Sequence, residues 1–142
     1  MRRLPDSLLI PNVGQFVAYR SVPDRTYLEP PDPELIPGAR NAIRFCLRLK
    51  PEERITVVTD SATREVAAAL QQEIERVGSA YSLFVLEHHA RRPLKFVPEV
   101  ILEDLAASQV SIFAAQSQPG ELVARTQLTT LTNNYQIRHA HM

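Results

Sequence analysis

The stretch Ile55-Thr56-Val57-Val58-Thr59-Asp60-Ser61-Ala62-Thr63-Arg64-Glu65-Val66-Ala67-Ala68-Ala69-Leu70 decides the fold. Its first five residues are all branched at Cβ, which restricts χ1 and suits a pleated surface, so they predict a short strand. Asp60 or Ser61 then offers a side-chain oxygen to cap a helix whose apolar positions Val66, Ala69, Leu70, Ile74 and Val77 share one face. Gly78 is placed as the residue just past that helix's end. A strand that feeds straight into a capped helix begins a β-α-β unit.

The same grammar repeats outward. Tyr81 to Leu86 reads as a second strand, residues 98–108 as a helix and Val110 to Ala114 as a third strand. The two best strands are continuous apolar runs rather than clean alternations, as expected where helices cover both faces of a parallel sheet. Upstream, Ala39, Ala42, Ile43, Cys46 and Leu49 recur at helical spacing with Arg40, Arg44 and Arg48 between them. They predict an amphipathic helix over 38–50, stopped by Pro51, with Cys46 a small buried hydrophobe on its apolar face. The order α-β-α-β-α-β with right-handed crossovers predicts a Rossmann-like three-layer α/β unit. Its mostly parallel sheet has about four strands, and any ligand is expected at their carboxyl ends.

Beyond the third strand, Ser117 to Glu121 reads as a turn and Glu121 to about Leu131 as a fourth helix, weakened by Thr126, Thr129 and Thr130. Tyr135 to Met142 alternates as a final strand that reaches the last residue, which predicts that the natural protein continues. At the other end, 7 of the 11 prolines lie at or before Pro37. Residues 1–37 therefore read as a proline-rich extended arm and 38–142 as the α/β domain. The arm's Leu8, Leu9, Ile10, Val13, Phe16, Val17 and Tyr19 are too apolar for a free tail. They predict contact with the domain or with a partner, and the arm or a sheet edge offers a route to a homo-oligomer.

The 142 residues carry 16 basic and 16 acidic side chains, so the formal charge is zero, and 44% are hydrophobic. That composition excludes a disordered chain and gives no global pull toward nucleic acid or an anionic membrane. No run approaches the roughly 20 apolar residues that span a bilayer. Pro5, Asp6 and Pro11 interrupt what would have to be a signal peptide's apolar stretch, and the single Cys46 forms no internal disulfide, so a cytoplasmic setting is expected.

The candidate chemistry is sparse. With 4 glycines and no G-x-G-x-x-G or G-K-[ST] at the turn after the first strand, dinucleotides and nucleoside triphosphates held by backbone amides are disfavoured. Asp60 at that turn either contacts a ligand hydroxyl or amine or only caps its helix. His88 and His89 lead into Arg91, Arg92 and Lys95, a cluster suited to a phosphate or carboxylate, or to a solvated loop. His139 and His141, two apart on a strand, share a face and could both ligate a metal, but no neighbouring Cys, Asp or Glu completes a set. No G-x-S-x-G elbow occurs, and no carboxylate pair is nominated by spacing.

Three runs carry a family resemblance: Pro37 to Ile43; Leu49-Lys50-Pro51-Glu52-Glu53-Arg54-Ile55-Thr56-Val57-Val58-Thr59-Asp60; and Thr63 to Leu70. Together with the passage Ala106 to Ala115 and the closing Arg138-His139-Ala140-His141-Met142, they resemble the N-terminal part of leucyl aminopeptidases of the thermophilic metallo-aminopeptidase (aminopeptidase T) type. The resemblance covers about 38–142. It implies hydrolysis by a two-metal, zinc-type site whose Glu, His, Tyr and Asp ligands lie in the family's C-terminal half, so no cofactor is expected in this chain. Peptide substrate would be engaged only together with that half. What the resemblance assigns to this part is substrate access and inter-domain contact. The other readings are a non-enzymatic interaction or oligomerisation module and an anion- or sugar-nucleotide-binding half-domain using the His88-to-Lys95 loop, with His88, Arg91 and Arg92 as its candidates.

Overall fold

A computed structural model describes residues 28–142, so residues 1–27 of the arm expected over residues 1–37 lie outside the described residues. Strands β1 (Arg54–Thr59), β2 (Ala80–Val85), β3 (Val110–Ala114) and β4 (Arg138–His141) form one sheet in the order β2-β1-β3-β4, every pair parallel. The helices are α1 (Ile36–Arg40), α2 (Arg64–Val77), α3 (Glu99–Ala106) and α4 (Leu122–Asn134). The Rossmann-like three-layer α/β expectation holds.

Strand alternation sends Ile55, Val57, Leu83, Val85 and Ile112 to one face, where they pack with Ile43, Leu70 and Ile74 of the α1/α2 layer. Val58, Phe84 and Phe113 go to the other face, against Ile101 and Leu105 of α3 and Leu128 and Leu131 of α4. Both faces are covered, which is why the strands read as continuous apolar runs. The chain steps one way from β1 to β2 and the opposite way from β2 to β3, and right-handed crossovers then put α2 on one face and α3 and α4 on the other. The direction reverses between β1 and β3, which stay paired through Thr59 and Ala114, so the switch point, where a doubly wound sheet has its ligand crevice, lies just beyond their carboxyl ends.

The first helix differs from its sequence reading. After α1 the backbone widens into a π-helical segment, Asn41–Cys46, in which the Leu47 N–H bonds the Ala42 carbonyl at 2.9 Å, five residues back. The wider turn brings Leu47 inward where 3.6-residue spacing puts Cys46. Cys46 is exposed, and the helical segment ends there rather than at residue 50. Its front end also lies earlier: Leu28, Leu35 and Ile36 pack onto the α1/α2 core.

Other boundaries follow local chemistry. Gly78 takes φ +85°, and its N–H bonds the carbonyls of Ile74 and Glu75, closing α2 as expected of a left-handed terminal glycine. Helix α4 runs three residues past Leu131 despite its threonines. The hydroxyls of Thr129 and Thr132 donate to the carbonyls of Arg125 and Thr129, so they do not compete with the helix from outside. The last strand shortens accordingly to Arg138–His141.

Candidate functional site

At the crevice, β1 delivers Asp60 and the loop after β3 delivers Gln116 and Glu121. Asp60 caps the turn before α2: Oδ1 accepts the N–H groups of Ala62 at 3.1 Å and Thr63 at 2.9 Å. Thr63 Oγ1 lies 2.7 Å from Asp60 Oδ1 and 2.6 Å from the Ala114 carbonyl oxygen, tying β1 to the end of β3. The second oxygen, Oδ2, accepts the Gln116 N–H at 2.8 Å and Arg92 Nη1 at 3.1 Å. Capping and inter-loop bridging thus use the two oxygens of one carboxylate.

Arg92 is the centre of the arrangement. Its Nε and Nη2 both donate to Glu121, the latter at 3.0 Å, and Nη2 also reaches the Gln116 carbonyl at 2.9 Å. Glu121 further accepts the Leu94 N–H at 3.0 Å. The side chains of Arg92, Asp60 and Glu121 are 6%, 2% and 1% exposed, so one guanidinium and two carboxylates are enclosed together. Glu87, 3.5 Å from Arg92, and Arg125, 3.7 Å from Glu121, stand on the rim.

The charges stay ionised because they are paired. Burial pushes the Asp60 carboxyl upward, but hydrogen bonds from Thr63, the Gln116 amide and Arg92 outweigh it and hold it below the usual carboxylate range. Glu121 is likewise pushed up by burial, and Arg92 and the Leu94 amide bring it below its ordinary value. Arg92 is raised by its bond to Glu121 against the effect of burial, with Asp60 assisting. Chemically this is a clamp. It ties the loop between β2 and α3 to the carboxyl ends of β1 and β3.

Of the candidates, the fold brings Asp60 and Arg92 together and leaves His88 and Arg91 exposed at the surface, along with Lys95. Spacing alone did not nominate Glu121. Its one local signal is its position directly after Pro119-Gly120, at the carboxyl end of the third strand.

His139 and His141 do share a face of β4, with ring centroids 5.8 Å apart. Both are engaged: His139 Nδ1 lies 2.7 Å from Ser111 Oγ, and Arg125 Nη1 donates to His141 Nε2 at 2.6 Å. Since arginine only donates, His141 accepts there and carries its ring proton on Nδ1. Burial and then the neighbouring His141 lower His139 to about 4, and burial and Arg125 lower His141. Among the described residues no group of three His, Cys, Asp or Glu side chains is arranged to hold a metal ion, and Arg125 faces the pair with positive charge. These residues do not fit a metal site.

On the α3/α4 face a polar row crosses the sheet in register, Ser82 beside Thr56, Thr56 beside Ser111 and Ser111 beside His139. Asp104 of α3 accepts Thr56 Oγ1 at 2.7 Å, Ser82 Oγ at 2.9 Å and Arg54 at 2.5 Å, which satisfies the Thr56 and Ser82 hydroxyls, whereas His139 Nε2 at the end of the row is buried with no hydrogen-bond partner among the described residues. A polar cleft of about 450 Å³ lies elsewhere, lined by Leu28, Glu29, Pro30, Arg64 and Glu65. No helix among the described residues is long and apolar enough to cross a membrane. In comparisons with known proteins, no family model matches the chain and no curated protein is significantly similar to it.

Proposed function

We propose that this chain is the N-terminal α/β domain of an aminopeptidase-T-like metallopeptidase, a cytoplasmic hydrolase in which it shapes substrate access and carries inter-domain contacts. The resemblance of residues 38–142 supports the family. The observation that carries the domain's role is the Arg92 clamp: the crevice where a doubly wound sheet takes its ligand is filled by the chain's own ion pairs. Bound divalent ions supply carbonyl polarisation and a hydroxide nucleophile in such peptidases. His139 and His141 are engaged by Ser111 and Arg125, so the ligands of those ions are assigned outside this chain and no catalytic step is assigned within it.

The test is hydrolysis of an aminoacyl anilide by residues 1–142 and by the product of the reading frame extended past Met142, each with zinc or cobalt and after chelation. Metal-dependent hydrolysis by the longer product alone is the expected result. Hydrolysis by residues 1–142, or an extended frame without metal-ligating Glu, His, Tyr and Asp residues, overturns the reading.

A second reading rests on β4, which is an edge of the sheet among the described residues. An edge strand offers backbone donors and acceptors to an added strand, so β4 suits association with another chain. Sedimentation equilibrium of residues 1–142 decides this for self-association. A concentration-dependent dimer supports it, and a monomer throughout removes it.

A further inference from the structure

A second ion cluster, on the outer side of the α1/α2 layer, has the opposite composition to the Arg92 clamp. Glu73 of α2 has a fully buried side chain, and three arginines converge on it. Arg40 places Nη2 3.4 Å from Oε1 and Nε 3.5 Å from Oε2, Arg44 places Nε 3.6 Å from Oε2, and Arg76 places Nη1 2.9 Å from Oε1. One carboxylate neutralises one guanidinium, so the cluster carries 3 − 1 = 2 excess positive charges. The arginine side chains are 47%, 45% and 47% exposed.

Glu73 uses only part of their donor capacity. Arg44 commits Nε alone, Arg76 commits Nη1 alone and Arg40 keeps Nη1. Among the described residues the remaining N–H groups of the three guanidiniums have no acceptor, and, gathered by a common buried anchor, they form a surface that matches a tetrahedral oxyanion with two charges. The anchor also lowers the entropy lost on binding, because each arginine is already restrained at one nitrogen. From this geometry we propose that Arg40, Arg44 and Arg76 bind a dianionic phosphate group, with Glu73 holding the three in place. The site is independent of the Arg92 clamp and of the exposed His88 and Arg91.

The experiment is calorimetric titration of the chain with inorganic phosphate at low ionic strength, repeated on Arg44→Ala/Arg76→Ala and on Arg91→Ala. Saturable one-to-one binding is expected, weakened at least tenfold in the double variant and unchanged in Arg91→Ala. Both exchanged side chains in the double variant are half exposed, and its thermal midpoint reports that it is folded. Arg44→Lys/Arg76→Lys restores part of the affinity. Vesicles containing phosphatidic acid, against phosphatidylcholine alone, identify the source of the group. Binding confined to phosphatidic acid and lost in the double variant assigns a lipid headgroup, whereas binding of free phosphate assigns a soluble ligand. The proposal is overturned by absence of saturable binding to either probe, by equal binding of the double variant, or by loss of binding in Arg91→Ala instead.

Discussion

The molecule holds two arginine–carboxylate clusters with inverted proportions. At the crevice between β1 and β3, Arg92 is enclosed with Asp60 and Glu121, and with Glu87 and Arg125 on the rim the group sums to 2 − 3 = −1. On the α1/α2 layer a buried Glu73 faces three half-exposed arginines. In the first, Arg92, Asp60 and Glu121 are turned inward and pair with one another. In the second, the anchor is inward and the surplus faces water. A doubly wound sheet is expected to offer its polar groups at the crevice, and this one closes the crevice and displays its excess charge on a helix layer instead. The location of a site therefore follows from which charges are left over, not from topology alone.

Breaking the enclosed cluster has the largest expected effect. Arg92→Ala leaves two buried carboxylates without their main counter-charge and should lower unfolding free energy by about 3–5 kcal/mol, measured by urea denaturation. Acid provides a second, somewhat smaller lever. His139 titrates near 4 in the folded chain against 6.5 for an unperturbed imidazole, so the unfolded state binds the extra proton first and stability falls as pH drops through that window. The loss should reach about 3 kcal/mol at pH 4 relative to pH 7. Asp60 and Glu121, whose folded values are depressed, contribute stability above their unfolded values that disappears only at still lower pH, as their folded values are passed. His139→Gln should flatten the upper part of that profile and leave the lower part.

The open cluster should respond more weakly. Glu73→Gln removes the shared anchor while the arginines remain solvated, and about 1–2 kcal/mol is expected, shrinking as salt screens the mutual repulsion of the three guanidiniums. Arg44→Ala, the smallest change, should shift stability by less than about 0.5 kcal/mol in the same denaturation assay. A Glu73 variant as damaging as Arg92→Ala would erase the distinction between the two clusters.

The order of elements was legible because its signals are local. The β-branched run 55–59, the Asp60 cap and the terminal Gly78 each act within a few residues, and each stands where its chemistry predicts. Cys46 was misplaced because one extra residue in a helical turn leaves no mark in a 3.6-residue pattern. The clamp was half legible. Asp60 and Arg92 were both singled out, but their meeting spans 32 residues and the Arg92–Glu121 contact 29, distances at which only the tertiary fold decides partners. Of the three arginines around Glu73, Arg40 and Arg44 read as the polar side of one amphipathic helix, and Arg76 lies in another. Nothing in either helix alone says that they share one carboxylate.

The most direct measurement of the closed crevice is a double-mutant cycle between Arg92 and Glu121, using Arg92→Ala, Glu121→Ala and the pair, each followed by urea denaturation. If the guanidinium and carboxylate are enclosed against each other, the coupling energy should be about 2 kcal/mol or more. Additive losses, with coupling below about 0.5 kcal/mol, would mean that Arg92 is not held at the crevice, and the account of a site closed by its own ion pairs would be contradicted.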